Sequence, residues 1–368
     1  MAVLETDING RLAEANERIT LGLVDTRDGN RFIPITTTAC WNFQEGTMFH
    51  WRPAEPDTFI FNDMREGKFV AVIMNWRTKA ERIVPCPVSA VSLDGRWAIS
   101  VNYARLYITR PDYGYAGDGQ DAREKTIWPE DDGLWLVDLK TGDTKLILSV
   151  AQGRSKMPKE KVVSGKPGNP LAYYCHTVFN PSATRVFFLA RTVDWYEKET
   201  HKIPQWLTTS FTVKTDGTDL RRCFADDTAG GSHFNWLDDN TMVVTVWPTG
   251  ANGKKFARHM RFTVGDEDKG YPMAPGLLDW DGHCVWSPNG KWMSTEGYYD
   301  RNYNRQWAIM RTSDEAVKSV GEFFVPEKYR QTYWRCDLHA RWRPDGKQLG
   351  FNSVHEGSRQ VYVMDIAE

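Results

Sequence analysis

One short pattern occurs four times after residue 170, and each copy carries a histidine at the same place. The copies read His176-Thr-Val-Phe179-Asn-Pro, His233-Phe-Asn-Trp236-Leu-Asp, His283-Cys-Val-Trp286-Ser-Pro and His339-Ala-Arg-Trp342-Arg-Pro. In each, the histidine stands three residues before an aromatic, a turn follows, and then an apolar strand such as Arg185-Val-Phe-Phe-Leu-Ala-Arg191. Recurrence every 50 to 57 residues marks one structural unit used repeatedly. Equivalent positions of a circular array sit at equal radii. In a closed ring the four imidazoles would therefore face one another across its axis.

The rest of the chain fits such units. Strand-length runs rich in Val, Ile, Phe, Trp and Thr alternate with turn signals such as Leu93-Asp-Gly95, Asp216-Gly217, Pro288-Asn-Gly290 and Pro344-Asp-Gly346. Asp-Gly and Asn-Gly pairs supply the positive φ that tight hairpins need. Helical periodicity is nearly absent; only Gly10 to Arg18 has helix-forming composition, and that stretch is short. Within a unit, an inner strand with the aromatic is followed by strands like Trp97-Ala-Ile-Ser-Val and Gly133-Leu-Trp-Leu-Val-Asp-Leu, then an outer strand like Thr144-Lys-Leu-Ile-Leu. Four antiparallel strands per unit describe a propeller blade. Six inner strands begin near Met48, Val88, His176, His233, His283 and His339.

The last unit stops after Arg359-Gln-Val-Tyr-Val-Met-Asp365, one strand short, and the N-terminal hairpin Ile19–Val24 with Arg31–Ile35 is expected to close the ring. The fold expected is all-β: a single propeller over residues 1–368, of seven blades or six, with residues 1–18 as an extension and inserts near 110–132 and 152–170.

Composition excludes several classes. A formal net charge of -2 leaves no footprint for nucleic acid or a polybasic membrane surface. The apolar runs are strand-sized, too short to span a bilayer as helices. The N-terminus has no apolar core of a secretory signal. The six cysteines form no CxxC pair and read as free thiols in a reducing compartment. A closed ring needs no partner to cover its edges, so a monomer is expected.

Four constellations could carry chemistry. The histidines come first: converging neutral imidazoles suit a first-row divalent metal, and one not used as a ligand can act as a base. In Arg335-Cys336-Asp337-Leu-His339-Ala-Arg341, strand alternation would put Arg335, Asp337, His339 and Arg341 on one face. The third is Ser353-Val-His355-Glu-Gly-Ser-Arg359, and the fourth comprises Arg105, Arg191 and Tyr298. Arginine pairs well with planar carboxylates. No phosphate loop, HExxH helix or nucleophile elbow is found.

Asp281-Gly-His-Cys-Val-Trp-Ser-Pro-Asn-Gly, Ser232-His-Phe-Asn-Trp and Arg335-Cys-Asp-Leu-His with His355-Glu-Gly-Ser-Arg-Gln resemble the oligogalacturonate lyase-like propellers, whose characterised group is polysaccharide lyase family 22. Trp41-Asn-Phe-Gln44-Glu-Gly-Thr-Met resembles a segment of uncharacterised bacterial relatives, and the likeness spans about residues 20 to 366. The resemblance implies a seven-bladed, cytoplasmic, manganese-dependent enzyme that cleaves short pectic uronides by β-elimination. It places metal ligands on His283 and on a Gln-x-x-His-x-His stretch that aligns with Cys336 to Arg341. There only His339 matches; Cys336 stands at the Gln and Arg341 at the second His. His176, His355 or Asp337 would complete a different sphere, or Arg335 and Arg341 would supply the charge instead.

The resemblance also makes His233 the base and Arg191 a helper. The set carried forward is His233, His176, Arg191 and Tyr298 as catalytic, and Gln44, Arg105, Arg335 and Arg359 as substrate contacts. His283, His339, His355 and Cys336 are the metal ligands carried forward. A uronate oligosaccharide is the expected partner and a divalent metal, manganese, the expected cofactor. The rivals are a non-catalytic propeller that binds sugar or protein, and a glycoside hydrolase using a pair from Asp281, Glu296 and Asp337.

Overall fold

The computed structural model describes residues 1–117, 121, 124–163, 170–203, 205–224, 231–250 and 253–366. Parts of both expected inserts lie outside the described residues. The chain divides into two compact units, Met1–Leu220 and Arg221–Glu368. Among the described residues there are seven antiparallel sheets in chain order, five of four strands and two of three, and the fold class is that of a seven-bladed β-propeller.

In the first unit the strands Ala2–Glu5, Ile19–Asp25 and Arg31–Thr38 form a three-stranded sheet. The expected N-terminal hairpin is thus present, with its partner strand drawn from the expected extension. Two four-stranded sheets follow, over His50–Trp51 to Glu81–Val84 and over Ala90–Val91 to Thr144–Ser149. The unit continues into Leu171–Phe179, Arg185–Val193 and Leu207–Lys214. The second unit holds four-stranded sheets from Gly231–Trp236 to Asp266–Pro272 and from Gly282–Trp286 to Val317–Phe324. Its last sheet has three strands: Arg341–Trp342, Gln348–Ser353 and Gln360–Asp365.

Local chemistry explains the hairpins. Ser92 Oγ accepts from Trp97 N at 2.9 Å, Asp94 Oδ1 accepts from Arg96 N at 3.0 Å, and Gly95 closes the turn at φ 70°. The second unit repeats this turn. Ser287 Oγ accepts from Trp292 N at 3.0 Å, Asn289 Oδ1 from Lys291 N at 3.0 Å, and Gly290 has φ 67°. A side chain that bonds its own backbone two residues on favours a turn over a continuing strand.

The short stretch of helix-forming composition at residues 10–18 folds as bends, a turn and irregular backbone. Helices form instead at Tyr103–Thr109 and Val150–Arg154. The first is capped by Asn102, whose side chain accepts from Arg105 N at 2.9 Å. That local cap outweighs the composition of the earlier stretch.

The apolar core of each unit lies between its sheets. In the second unit one cluster gathers Val243, Met273, Leu278, Cys284, Met293, Ala308 and Met310, and another gathers Trp307, Leu338, Ala340, Leu349 and Phe351. Trp307 is buried and still satisfies its indole N–H on Ser294 Oγ at 2.7 Å. Among the described residues all six cysteines are free. No helix among the described residues is long and apolar enough to cross a membrane.

Candidate functional site

The second unit brings three of the four repeat histidines together. His233 and His283 have ring centroids 4.0 Å apart, and His283 and His339 4.1 Å. The Nε2 atoms of His283 and His339 are 3.0 Å apart.

Each is placed by a different device. His233 sits in the strand Gly231–Trp236 where the register slips between Ser232 and Phe234. Such a bulge re-aims a side chain against simple alternation. His283 lies directly opposite Glu296 on the antiparallel hairpin Gly282–Trp286/Trp292–Tyr299. The adjacent Gly282 is required there, because a Cβ would stand 1.7 Å from the Glu296 carbonyl oxygen. His339 has φ 46°, a left-handed conformation that a non-glycine residue holds only when its surroundings over-determine it. What holds it is its backbone N–H, which donates to Glu296 Oε1 at 2.9 Å.

The expected strand face fails here. Residues 335–340 form no strand, and the strand begins only at Arg341, which is exposed. Asp337 nevertheless joins the histidines. His283, Asp337 and His339 each offer a ligand atom, and these lie within 4.8 Å of one another.

Carboxylates organise the imidazoles. Glu296 Oε1 also accepts from His283 Nδ1 at 2.9 Å, which leaves His283 Nε2 as the ligand nitrogen. Glu296 is buried, and its Oε2 has no hydrogen-bond partner among the described residues. His233 Nδ1 bonds Asp281 Oδ1 at 2.7 Å. Burial pushes the imidazoles of His283 and His339 down, His339 far below its ordinary value, so both are neutral near pH 7 as metal ligands must be. Burial alone would raise the Asp337 carboxyl, but Arg305 and Arg335 outweigh it and hold the group well below the carboxylate range. Arg305 bonds Asp337 Oδ1, and Arg335 Nε lies 3.4 Å from Oδ2.

Two neutral imidazoles, one ionised carboxylate and a buried carboxylate behind one imidazole are a donor set that fits a divalent first-row cation. The residues therefore suit the expected metal, with Asp337 taking the place foreseen for Cys336 and His355. Cys336 is buried beside Val325, Tyr329 and Val354, and burial raises its thiol pKa, so the thiolate a metal requires is disfavoured. His355 turns to Ser353 Oγ at 2.7 Å and packs against Phe323 and Tyr362.

The remaining expected residues fall in several places. Tyr298 is exposed, with its ring 5.6 Å from that of His233. Arg359 holds the backbone carbonyls of Trp334 and Arg335, so it braces the segment before Asp337. In the first unit Arg105 is buried and spent on the carbonyls of Ala172, Thr126 and Ile127 and on Asp121. These interior bonds make it a pin rather than a ligand contact. Gln44 is buried as well. His176 lies with its ring 4.6 Å from Tyr113 and has φ 56°. Arg191 lies over Trp206 at 5.8 Å.

Sequence reasoning named Glu296 and Asp281 only as candidates for a hydrolase pair, not as partners of the histidines, and did not name Arg305. Glu296 was legible, since counting back from the Pro288-Asn-Gly290 turn pairs it with His283. Asp281, two residues before His283, had the same face as its signal. Arg305 had none.

No protein-family model matches the chain. No curated protein matches it by sequence. Solved structures do resemble it in fold. An oligogalacturonate lyase from Vibrio parahaemolyticus superposes with a TM-score of 0.60 at 12% identity, covering 95% of this chain and 84% of that one. An oligogalacturonate lyase in complex with manganese gives a TM-score of 0.60 at 15% identity, covering 95% and 83%. The tricorn protease gives 0.54 at 8% identity, covering 99% of this chain and 34% of that one. At such identities the likeness is one of fold.

Proposed function

We propose that the second unit is the reactive centre of a lyase that cleaves a uronate-containing glycan by β-elimination. In this reading His283, Asp337 and His339 hold a divalent cation, manganese by preference. The observation that carries it is the pairing of a carboxylate-bound histidine, His233 on Asp281, with a three-ligand group whose His283 ring is 4.0 Å from it. A base beside a cation is what this reaction needs. Removing the C5 proton of a uronate places charge next to a carboxylate that already bears one.

The cation supplies Lewis acidity toward the substrate carboxylate and so offsets the developing charge. His233 takes the C5 proton on Nε2, because its Nδ1–H is engaged by Asp281, which then stabilises the imidazolium. The C5–H electron pair becomes the C4–C5 double bond, and the C4–O bond breaks toward the leaving sugar. Tyr298, whose ring lies 5.6 Å from that of His233, would protonate the leaving oxygen. Arg335, whose Nε lies 3.4 Å from Asp337 Oδ2, adds a positive charge beside the site for the substrate carboxylate. A glycoside hydrolase is less well served: Asp337 is held ionised, which disqualifies it as a general acid. The manganese-bound oligogalacturonate lyase that shares the fold supports the choice of cation and substrate class.

The test is a screen of the manganese-loaded protein against uronate oligosaccharides, following the ultraviolet absorbance of the unsaturated product. Turnover is expected, and His233→Ala should lower kcat by about 10² to 10⁴-fold with the fold intact. Full activity in that variant would remove His233 as the base. No unsaturated product from any uronate glycan would refute the reading.

A further inference from the structure

We propose that His259 is a positioning residue: through two threonines it holds the residues on either side of Asp281, and so sets the carboxylate that orients His233. This rests on the proposed role of His233 as the base, but not on which glycan is cut.

His233 and Asp281 meet from two different sheets. His233 stands at the bulge of the strand Gly231–Trp236, and Asp281 lies just before the strand Gly282–Trp286, outside its ladder. Asp281 Oδ1 is nevertheless 2.7 Å from His233 Nδ1. A loop carboxylate and a bulged imidazole have no strand pairing to fix their separation. The Asp281 carbonyl accepts from Tyr298 N–H at 3.1 Å, but that bond stays within one sheet. Asn235 reaches across to the Cys284 carbonyl at 3.1 Å, further down the inner strands.

The tie at the level of the pair is a buried chain of four hydrogen bonds. His259 lies on the strand Arg258–Thr263 of the His233 sheet, opposite Thr245. Thr295 lies on the strand Trp292–Tyr299 of the other sheet. All three are fully buried. The Trp280 indole N–H donates to Thr295 Oγ1 at 3.3 Å, and Thr295 donates to His259 Nε2. His259 Nδ1–H donates to Thr245 Oγ1, which donates to the Gly282 carbonyl at 3.2 Å. An indole N–H only donates and a carbonyl only accepts, so the direction of the whole chain is fixed, and bonds aligned in one direction strengthen one another. It starts on the residue before Asp281 and ends on the residue after it.

Neither flank has slack. The Trp280 ring packs on Gly297, where a Cβ would stand 3.2 Å from its Cγ, and Gly282 is pressed against the Glu296 carbonyl. Held at both neighbours, Asp281 presents its carboxylate at one distance from the facing sheet. Loss of either threonine hydroxyl frees one flank, and a misplacement of about 1 Å costs on the order of 10²-fold in rate.

The test uses the full chain carrying Thr245→Val or Thr295→Val, which keep the shape and remove one hydroxyl, and Thr245→Ser or Thr295→Ser, which keep the hydroxyl. The first readout is the tautomer of His233 at about pH 8, where an ordinary imidazole is neutral. Long-range proton–nitrogen NMR correlations in histidine-labelled protein report it, with His233→Ala for assignment. The parent should show the Nδ1–H form, each valine variant a mixture with the Nε2–H form, and each serine variant the parent's form. The second readout is turnover with manganese. The valine variants should lower kcat by about 10- to 100-fold with KM within about twofold of the parent, and the serine variants should recover most of that loss. If one valine variant does not fold, the other, which severs the opposite end of the chain, and His259→Gln decide. The proposal is overturned if His233 of the parent is not in the Nδ1–H form, if the folded valine variants keep the parent's tautomer and kcat, or if the serine variants fall as far as the valine ones. Absence of turnover on every uronate glycan would refute the lyase reading alone, because the tautomer, read without substrate, still decides the role of His259.

Discussion

His259 is the buried floor under the candidate site, and its neutrality should govern acid stability. It is fully buried, and both ring nitrogens meet hydroxyls: Nδ1 is 2.9 Å from Thr245 Oγ1 and Nε2 is 2.8 Å from Thr295 Oγ1. Thr245 donates its proton to the Gly282 carbonyl, so it accepts from Nδ1–H. Thr295 accepts from the Trp280 indole N–H, so it donates to Nε2. Every hydrogen bond is satisfied by the neutral ring alone. Burial, reinforced by His233, accordingly pushes the imidazole down from 6.5 to about 4.

A basic group with a depressed folded pKa binds its proton more readily when unfolded. Its stability contribution is full above 6.5, and it falls as pH drops toward 4, where the folded ring also titrates. The fall from 6.5 to about 4 corresponds to roughly 3 kcal/mol lost between about pH 7 and about pH 4. The assay is urea unfolding of parent and His259→Gln across that range, with chelator present so that metal linkage does not enter. At neutral pH the variant should be the less stable by about 1–3 kcal/mol, for the hydroxyl contacts it mismatches. Toward pH 4 that gap should shrink by roughly 3 kcal/mol and close or reverse, because other acid-titrating groups are common to both proteins and cancel. A gap that stays constant with pH would refute the neutral buried histidine.

Two further outcomes follow from the same unit. Glu296→Gln replaces the carboxylate that binds His283 Nδ1 and the His339 backbone, and should weaken manganese binding by about 10–100-fold in a competition titration, with little loss of strand content by circular dichroism. Unchanged metal affinity would show that Glu296 does not orient the ligands. Arg305→Met leaves buried Asp337 without its nearer cation, and should cost about 3–5 kcal/mol in chemical denaturation; a loss below about 1 kcal/mol would mean that Arg335 alone suffices.

The repeat was legible because strands, turns and aromatics are dictated locally. Ser287-Pro-Asn-Gly290 forms its turn from its own side chains, and an inner strand lies at or near each of the six expected places. The expected strand face over residues 335–341 fails, because the strand starts only at Arg341 and His339 adopts a left-handed conformation that alternation cannot anticipate. The helix Tyr103–Thr109 was not anticipated, because it starts from an Asn102 cap that composition does not advertise. Cys336 and His355 looked like ligands by type, but packing in one case and Ser353 in the other removes them.

The order of strands, the places of the hairpins and the spacing of the histidines were thus written in the chain, since each depends on residues close in sequence. Which histidines meet, that Asp337 joins them and that Arg305 reaches Asp337 were decided by the folded units. Those outcomes depend on bulges, on a left-handed residue and on contacts between segments distant in sequence, such as Arg305 with Asp337, 32 residues apart. Such contacts exist only after the apolar faces have packed, and the low dielectric that then surrounds them makes each charge's partner decisive.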